Sequence, residues 1–419
     1  METETKQFKS TVGPGYKNFV LFTLFLAWCL GGVDRTVISF AAIPIGKEFG
    51  LNPVDIGKIF SMFFFGYMLM QIPGGFLVDK FGPKKVLLTI VFCWSIFTAA
   101  TGLVGGLTSM LVVRFIFGMA EAPFSASATV TISQIFFAKD RGRATSLYLS
   151  SSGVVMIFAP IIAANMIEAV GWRMMFFILG AFGVVIVGLF YYVFQGDKLE
   201  AARALVTEKV ETLAAKPAVS FARIMKIPMV WYILLANFTA YTLLWGIGNW
   251  MPTYLVKEFG INLKEAGTLQ AIPGFGSFAG LLISGFIIDR LSDRGNRIFC
   301  FVISVICTIA LYALYLGNMS ITMIIIIQTI ANLVVGYIAV YILAIAMKKL
   351  PVAVIGKVNG TGLFFAYLGS TLAPTIMGML AQAGGGKISA SFIYLFAASV
   401  VMTIAMAMMN PSIDKHLEN

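Results

Sequence analysis

Gly75-Phe-Leu-Val-Asp79-Lys80-Phe-Gly82-Pro-Lys84-Lys85 follows one apolar run, and Gly285-Phe-Ile-Ile-Asp289-Arg290-Leu-Ser-Asp293-Arg294-Gly295 follows another, 210 residues further on. The two loops share their opening glycine, their acid and the base beside it. A second pairing keeps register: Gly142 precedes Pro160 by 18 residues as Gly356 precedes Pro374, with Ala159 and Ala373 in step. Weak internal repetition of this kind, set among apolar runs, is how a duplicated membrane protein reads.

The rest of the chain agrees. Its 419 residues are 59% hydrophobic and 12% charged, with a mean hydropathy of +0.90, whereas a soluble domain carries about 25% charged residues. A spanning helix needs about 20 mostly apolar residues. Twelve such stretches are expected, at 18–41, 57–77, 85–104, 107–136, 144–167, 173–194, 229–256, 266–288, 298–317, 320–347, 353–380 and 389–410. A polar stretch at 195–228 divides them six and six, giving a bundle over 1–194, a central loop and a second bundle over 229–419. The expected fold is an all-α integral membrane protein of twelve transmembrane helices in two pseudo-symmetric six-helix bundles.

Placing the amino terminus in the cytoplasm puts 22 of the 30 Lys and Arg on that side and 6 on the other, with Arg35 and Arg114 inside spans. That asymmetry sets orientation and puts both termini in the cytoplasm. It also accounts for the net charge of +11 without a nucleic acid partner.

Arg114 and Glu121 face one way on a helix, since seven residues make two turns and roughly 10 Å of rise. Asp34-Arg35 interrupts the first apolar run. A charge at bilayer depth costs roughly 3 kcal/mol on insertion scales, so four charges there must pair or line a wet cavity. They read as the working site of a transporter. Cys29, Cys93, Cys300 and Cys307 lie in apolar runs without a metal or redox spacing, and the single histidine, His416, lies in the polar tail. No triad, metal cluster or nucleotide loop is present, so neither an enzyme nor a cofactor or metal is expected.

The loop Gly75, Asp79, Lys80, Gly82, Lys84, Lys85 resembles the cytoplasmic signature of the major facilitator superfamily, with Asp289 and Arg290 as its echo. By that resemblance it gates, through a salt bridge that holds one conformation. Asp34-Arg35, Tyr67, Gln71-Ile-Pro-Gly-Gly75, and Arg114 with Gly118, Glu121, Ala122 and Pro123 resemble the anion:cation symporter branch, which includes bacterial sugar-acid permeases and the animal sialin and vesicular glutamate carriers. Trp250-Met-Pro-Thr-Tyr254 agrees with it. The branch resemblance implies that Asp34 and Glu121 carry protons, with Arg35 and Arg114 as their partners and as anion ligands. Of the 19 Asp and Glu, only these two fall deep within spans. Desolvation favours the neutral form of such a carboxylate and a guanidinium favours its charged form, and a proton-coupled carrier needs the two in balance.

Tyr67, Tyr241, Trp245, Asn249, Asn332, Tyr341, Asn359 and Ser370 are further candidates for cavity contacts, with Ser152 of Ser150-Ser151-Ser152-Gly153, which serves either the cavity or close helix approach. Two departures from the branch bear on substrate. Leu363-Phe-Phe-Ala-Tyr367-Leu-Gly-Ser370-Thr371 stands where sugar-acid permeases tend to carry polar residues, and Gly32-Val33 stands where a tyrosine is expected. A sugar acid and a less hydroxylated organic acid both remain open. The expected protein is a monomeric plasma-membrane symporter that takes up a small organic anion with protons. An exchanger or exporter on the same scaffold is the alternative within transport, and a non-transporting sensor the alternative outside it.

Overall fold

The computed structural model describes residues 14–195, 199, 225–350 and 352–409. Most of the expected central loop, both chain ends and His416 lie outside the described residues. The helices are α1 (Pro14–Phe49), α2 (Pro53–Phe81), α3 (Pro83–Thr101), α4 (Leu107–Glu121), α5 (Phe124–Ile135), α6 (Ala138–Val193), α7 (Pro228–Phe259), α8 (Leu263–Arg290), α9 (Asp293–Leu316), α10 (Ile321–Lys349), α11 (Val352–Ala383) and α12 (Phe392–Met408), with a 3-10 turn at Ile388–Ser391. Among the described residues, eleven helices are long and apolar enough to cross a membrane.

One expected boundary differs, and one falls where the sequence put it, in the 168–172 connection between the fifth and sixth spans. The fourth span is two helices, α4 and α5, because Pro123 has no N–H to continue the ladder and stands at their junction. The fifth and sixth spans form one run of 56 residues, broken at Gly171 with φ +81° and ψ 160°. That left-handed φ suits glycine.

Local sequence repeats as the loops do. The Asn52 side chain accepts from the Asp55 N–H at 3.0 Å to start α2, and Asn262 accepts from the Glu265 N–H at 2.7 Å to start α8. Asparagine is a strong N-cap, and an acid in the first turn opposes the positive helix end. Asn52 and Asn262 are also 210 residues apart, so the repeat holds over the full length of both helices. In the loop after α2, Gly82 takes φ +77° and Pro83 begins α3. Gly75 instead lies inside α2, where a β-carbon would meet nothing. The turn therefore rests on Gly82 alone. Asp79, Lys80, Asp289 and Arg290 are exposed.

The helices before the expected central loop meet those after it chiefly along α2 against α11 and α6 against α8. Lipid supplies little hydrophobic drive between helices, so contact depends on small residues that let backbones approach. Gly57 sits against the backbone of Pro374 and Thr375, Gly378 against Pro53, and Gly274 against Met156. Thr375 Oγ1 donates to Ser61 Oγ at 2.8 Å, and the Lys264 N–H donates to Glu168 Oε1 at 3.1 Å. Farther in, Phe64 meets Trp245 with ring centroids 4.8 Å apart, and Tyr67 meets Tyr367 at 4.4 Å. All these contacts lie between the middle of the bundle and the face remote from Pro14 and Met408.

Candidate functional site

All four intramembrane charges are buried in the first half, with exposures of 1% for Asp34, 8% for Arg35, 2% for Arg114 and 0% for Glu121. Consecutive positions on a helix diverge by about 100°, and Asp34 and Arg35 follow that rule. Arg35 faces the interface between the halves, where it borders two adjoining cavities. Asp34 turns back into its own half, and its Oδ2 accepts from Thr98 Oγ1 on α3 at 2.9 Å.

Arg35 Nη1 lies 3.0 Å from Glu121 Oε1. The approach is that of an ion pair, yet neither Glu121 oxygen has a partner aligned for a hydrogen bond. The guanidinium also stands 4.6 Å over the Trp28 ring, whose Nε1 donates to Ser152 Oγ at 2.9 Å. Trp28 is stacked in turn on Phe124, 5.6 Å away. Arg35 is thus steered by an aromatic plane and one carboxylate; its Nε is buried without a partner, and its side chain borders both cavities. A planar guanidinium suits a bidentate carboxylate ligand.

Arg114 is placed differently from the sequence expectation. Its guanidinium rests over Phe63 at 5.3 Å and Phe117 at 5.0 Å, makes no ion pair within 4 Å among the described residues, and leaves Nε without a partner. It does not border either central cavity. Its charge lies behind the Arg35–Glu121 pair and acts on it through the low dielectric.

The larger cavity, about 220 Å³, is lined by Trp28, Arg35, Ser152, Tyr241, Trp245, Phe278 and Tyr367 among others. The smaller, about 50 Å³, is bordered by Arg35, Thr36, Ser39, Trp245, Asn249, Gln270, Gln328 and Asn332. Together they form one chamber with an aromatic lobe, a polar lobe and Arg35 between them. A roomier groove of about 660 Å³ at the terminal face, bordered by Lys17, Phe22, Asp140 and Arg143, contains none of the four charges and is not this site.

Ser152, Tyr241, Trp245, Asn249 and Asn332 therefore stand at the chamber. Tyr67 is buried beside it, packed on Tyr367. Tyr341 is elsewhere, in a small cavity near the terminal face with Asp293, Asn296 and Lys348. Asn359 is exposed on α11, and Ser370 Oγ donates to the Ala366 carbonyl of its own helix at 3.1 Å. Tyr341 and Asn359 border neither lobe because they lie nearer the terminal face along their helices, and the Ser370 hydroxyl is taken up by its own helix. Gly32, where a tyrosine was expected, sits against Val155 so closely that any side chain would overlap it. Trp28, Thr98, Gln270, Gln328, Phe278 and Tyr367 were not among the expected contacts. The two glutamines carried a signal, since an uncharged amide at bilayer depth also needs partners.

The model of the Major Facilitator Superfamily matches residues 24–374. The chain is 30% identical over 305 residues to the probable L-galactonate transporter of Escherichia coli strain K12, a match covering 69% of this chain and 66% of that protein. It is 25% identical over 410 residues to the D-galactonate transporter of Escherichia coli O6:H1, covering 93% and 94%. Its fold is similar to the inward-facing, unoccupied crystal structure of a bacterial homologue of the human lysosomal transporter Spinster, with a TM-score of 0.77 at 20% identity over 94% of this chain and 98% of that one. The repeated halves, the charges enclosed between spans and the family match over most of the length agree: this chain belongs to the major facilitator superfamily of transporters.

Proposed function

We propose that this protein is a secondary active transporter that carries a small organic anion of the sugar-acid class together with protons by alternating access. The observation that carries this reading is Arg35, a guanidinium that pairs with a buried carboxylate and borders both cavities of the chamber. While Glu121 is ionised it engages Arg35. Protonation of Glu121 releases the guanidinium to the substrate carboxylate, so proton and anion load together. Asp34, held by Thr98 behind the pair, is the second proton carrier, and Arg114 tunes both acids from behind. For a monovalent anion each proton beyond the first carries net charge inward, worth roughly 2.3 kcal/mol per 100 mV.

Twelve crossings fit this reading better than eleven. The 56 residues of α6 would extend about 84 Å at 1.5 Å per residue, against a hydrocarbon core of about 30 Å, so α6 crosses twice and turns at Gly171. Pro14 and Met408 then lie on one face, and the balance of basic residues supports taking that face as the cytoplasmic side of a plasma-membrane protein working as a monomer. With the halves in contact at the remote face, the conformation is the one that gives substrate access from the cytoplasm. Asp79 and Asp289, exposed and without an ion pair among the described residues, fit a cytoplasmic gate that is released in this state.

The test is uptake of labelled D-galactonate into proteoliposomes under an imposed pH gradient, repeated as counterflow without one. Accumulation that follows the gradient supports symport. Counterflow without gradient-driven accumulation identifies an exchanger, and binding without flux a sensor.

Alternating access gives a separate expectation at Gly57. A leucine there would collide with the Pro374 backbone, which cannot move aside as a side chain would. Gly57→Leu should lengthen distances between spin labels on the remote ends of α2 and α11 and slow uptake by about tenfold or more. Unchanged distance distributions would show that the close contact is not what shuts this face.

A further inference from the structure

The polar lobe of the chamber holds four carboxamides, Asn249 on α7, Gln270 on α8, and Gln328 and Asn332 on α10, all contributed by the second half. Their exposures are 2%, 7%, 3% and 7%. Burying an amide without a partner is unfavourable by a few kcal/mol, so each should be explained by what it bonds. Three are. Gln270 Nε2 donates to Gln328 Oε1 at 3.0 Å, and Gln328 Nε2 donates to Gln270 Oε1 at 2.7 Å. Asn332 Nδ2 donates to the Pro273 carbonyl at 3.2 Å. These bonds tie α8 to α10.

Asn249 is not explained in that way. Its Nδ2 is buried without a hydrogen-bond partner, and the residue borders the same lobe. Arg35, Thr36 and Ser39 close the lobe from the first half, so it joins a fixed positive charge to a set of neutral groups that both donate and accept. A hydroxyl also donates and accepts, which makes it the complement of a carboxamide; a second carboxylate would find no further cation among these groups. Size narrows the ligand group. The polar lobe, about 50 Å³, is much the smaller of the two, against about 220 Å³ for the aromatic lobe, so the carbon chain fits the aromatic lobe and a small substituent the polar one. Because Arg35 borders both lobes, a substrate whose carboxylate rests on it would extend its carbon chain along the aromatic lobe. The substituent that reaches the polar lobe is then the one on the carbon next to the carboxylate.

Resting on the transport reading above, we propose that Asn249, supported by the Gln270–Gln328 pair, forms a selectivity subsite for the 2-hydroxyl of a hydroxy acid. A site that binds a hydroxyl rejects the analogue lacking it because its own buried group is left unpaired. Asn249 and the glutamines thereby separate 2-hydroxy acids from unsubstituted carboxylates of equal charge and length.

The experiment is equilibrium binding to the purified full-length protein of D-galactonate and its 2-deoxy analogue, in wild type, Asn249→Leu and Arg35→Ala. In wild type, loss of the 2-hydroxyl should weaken binding by roughly tenfold or more, the scale of a lost hydrogen bond with a buried group left unsatisfied. In Asn249→Leu the two ligands should bind within about twofold of each other. Equal affinities in wild type overturn the subsite, and this arm does not require the variant to fold. Retention of the full wild-type preference in Asn249→Leu overturns the assignment to Asn249. If D-galactonate fails to bind while another carboxylate binds in an Arg35-dependent way, the subsite falls and the transport reading stands. If no carboxylate shows Arg35-dependent binding, the transport reading falls, and the subsite with it.

Discussion

Arg35→Ala is expected to bring sugar-acid binding and uptake to background. Truncating one member of a buried charge pair costs about 2 to 5 kcal/mol, which is roughly 30-fold to several thousand-fold in affinity. Two losses combine here: the substrate loses its bidentate partner, and Glu121, 3.0 Å away and fully buried, loses its neutralising charge. Arg35→Lys should recover only part of the effect, because an ammonium is a point donor and cannot match a carboxylate with two parallel N–H groups. Nor would it stack on Trp28 as the guanidinium does. Binding of D-galactonate by isothermal titration checks this, with size-exclusion elution confirming that the variants fold. Arg114→Ala should have the smaller effect on affinity, since Arg114 rests on Phe63 and Phe117 and does not reach the chamber.

Glu121→Gln should separate binding from energy coupling. Glutamine is a neutral isostere of the protonated acid, so the variant leaves Arg35 permanently free for the anion. Counterflow of D-galactonate should survive, while accumulation driven by a pH gradient should fall by about tenfold or more, to the level set by simple equilibration, since each coupled proton contributes about 1.4 kcal/mol per pH unit of gradient. In wild type, affinity should rise as pH falls through the titration of Glu121. The variant should show a flat profile. Accumulation at the wild-type level in Glu121→Gln would transfer the coupling role to another group, with Asp34 and its Thr98 hydrogen bond next in line.

The architecture was legible because the physics that sets it is local. Repeated loops and apolar run length are both read along the chain, and the Asn52 and Asn262 caps extend the same 210-residue register. The helix boundary at Pro123 was less legible, since a break that leaves hydrophobicity unchanged does not interrupt an apolar run. At the site, the four charges could be found by elimination because a buried charge is rare. Their division of labour could not: whether a side chain faces the chamber or its own half depends on helix rotation, which places Arg35 at the wall and Arg114 behind it. Tyr341 and Asn359 miss the chamber by depth along their helices, which the length of an apolar run does not fix. Gln270 and Gln328 carry no charge and satisfy each other across α8 and α10, so their place at the chamber shows only once the two helices are packed.

Proton uptake on ligand binding tests the central claim, that Arg35 passes from Glu121 to the substrate carboxylate. Calorimetric titration of D-galactonate into the purified protein, in buffers of differing ionisation enthalpy at a pH where Glu121 is mainly ionised, should show close to one proton taken up by wild type and close to none by Glu121→Gln. Equal uptake in both proteins, or none in wild type, would contradict the account.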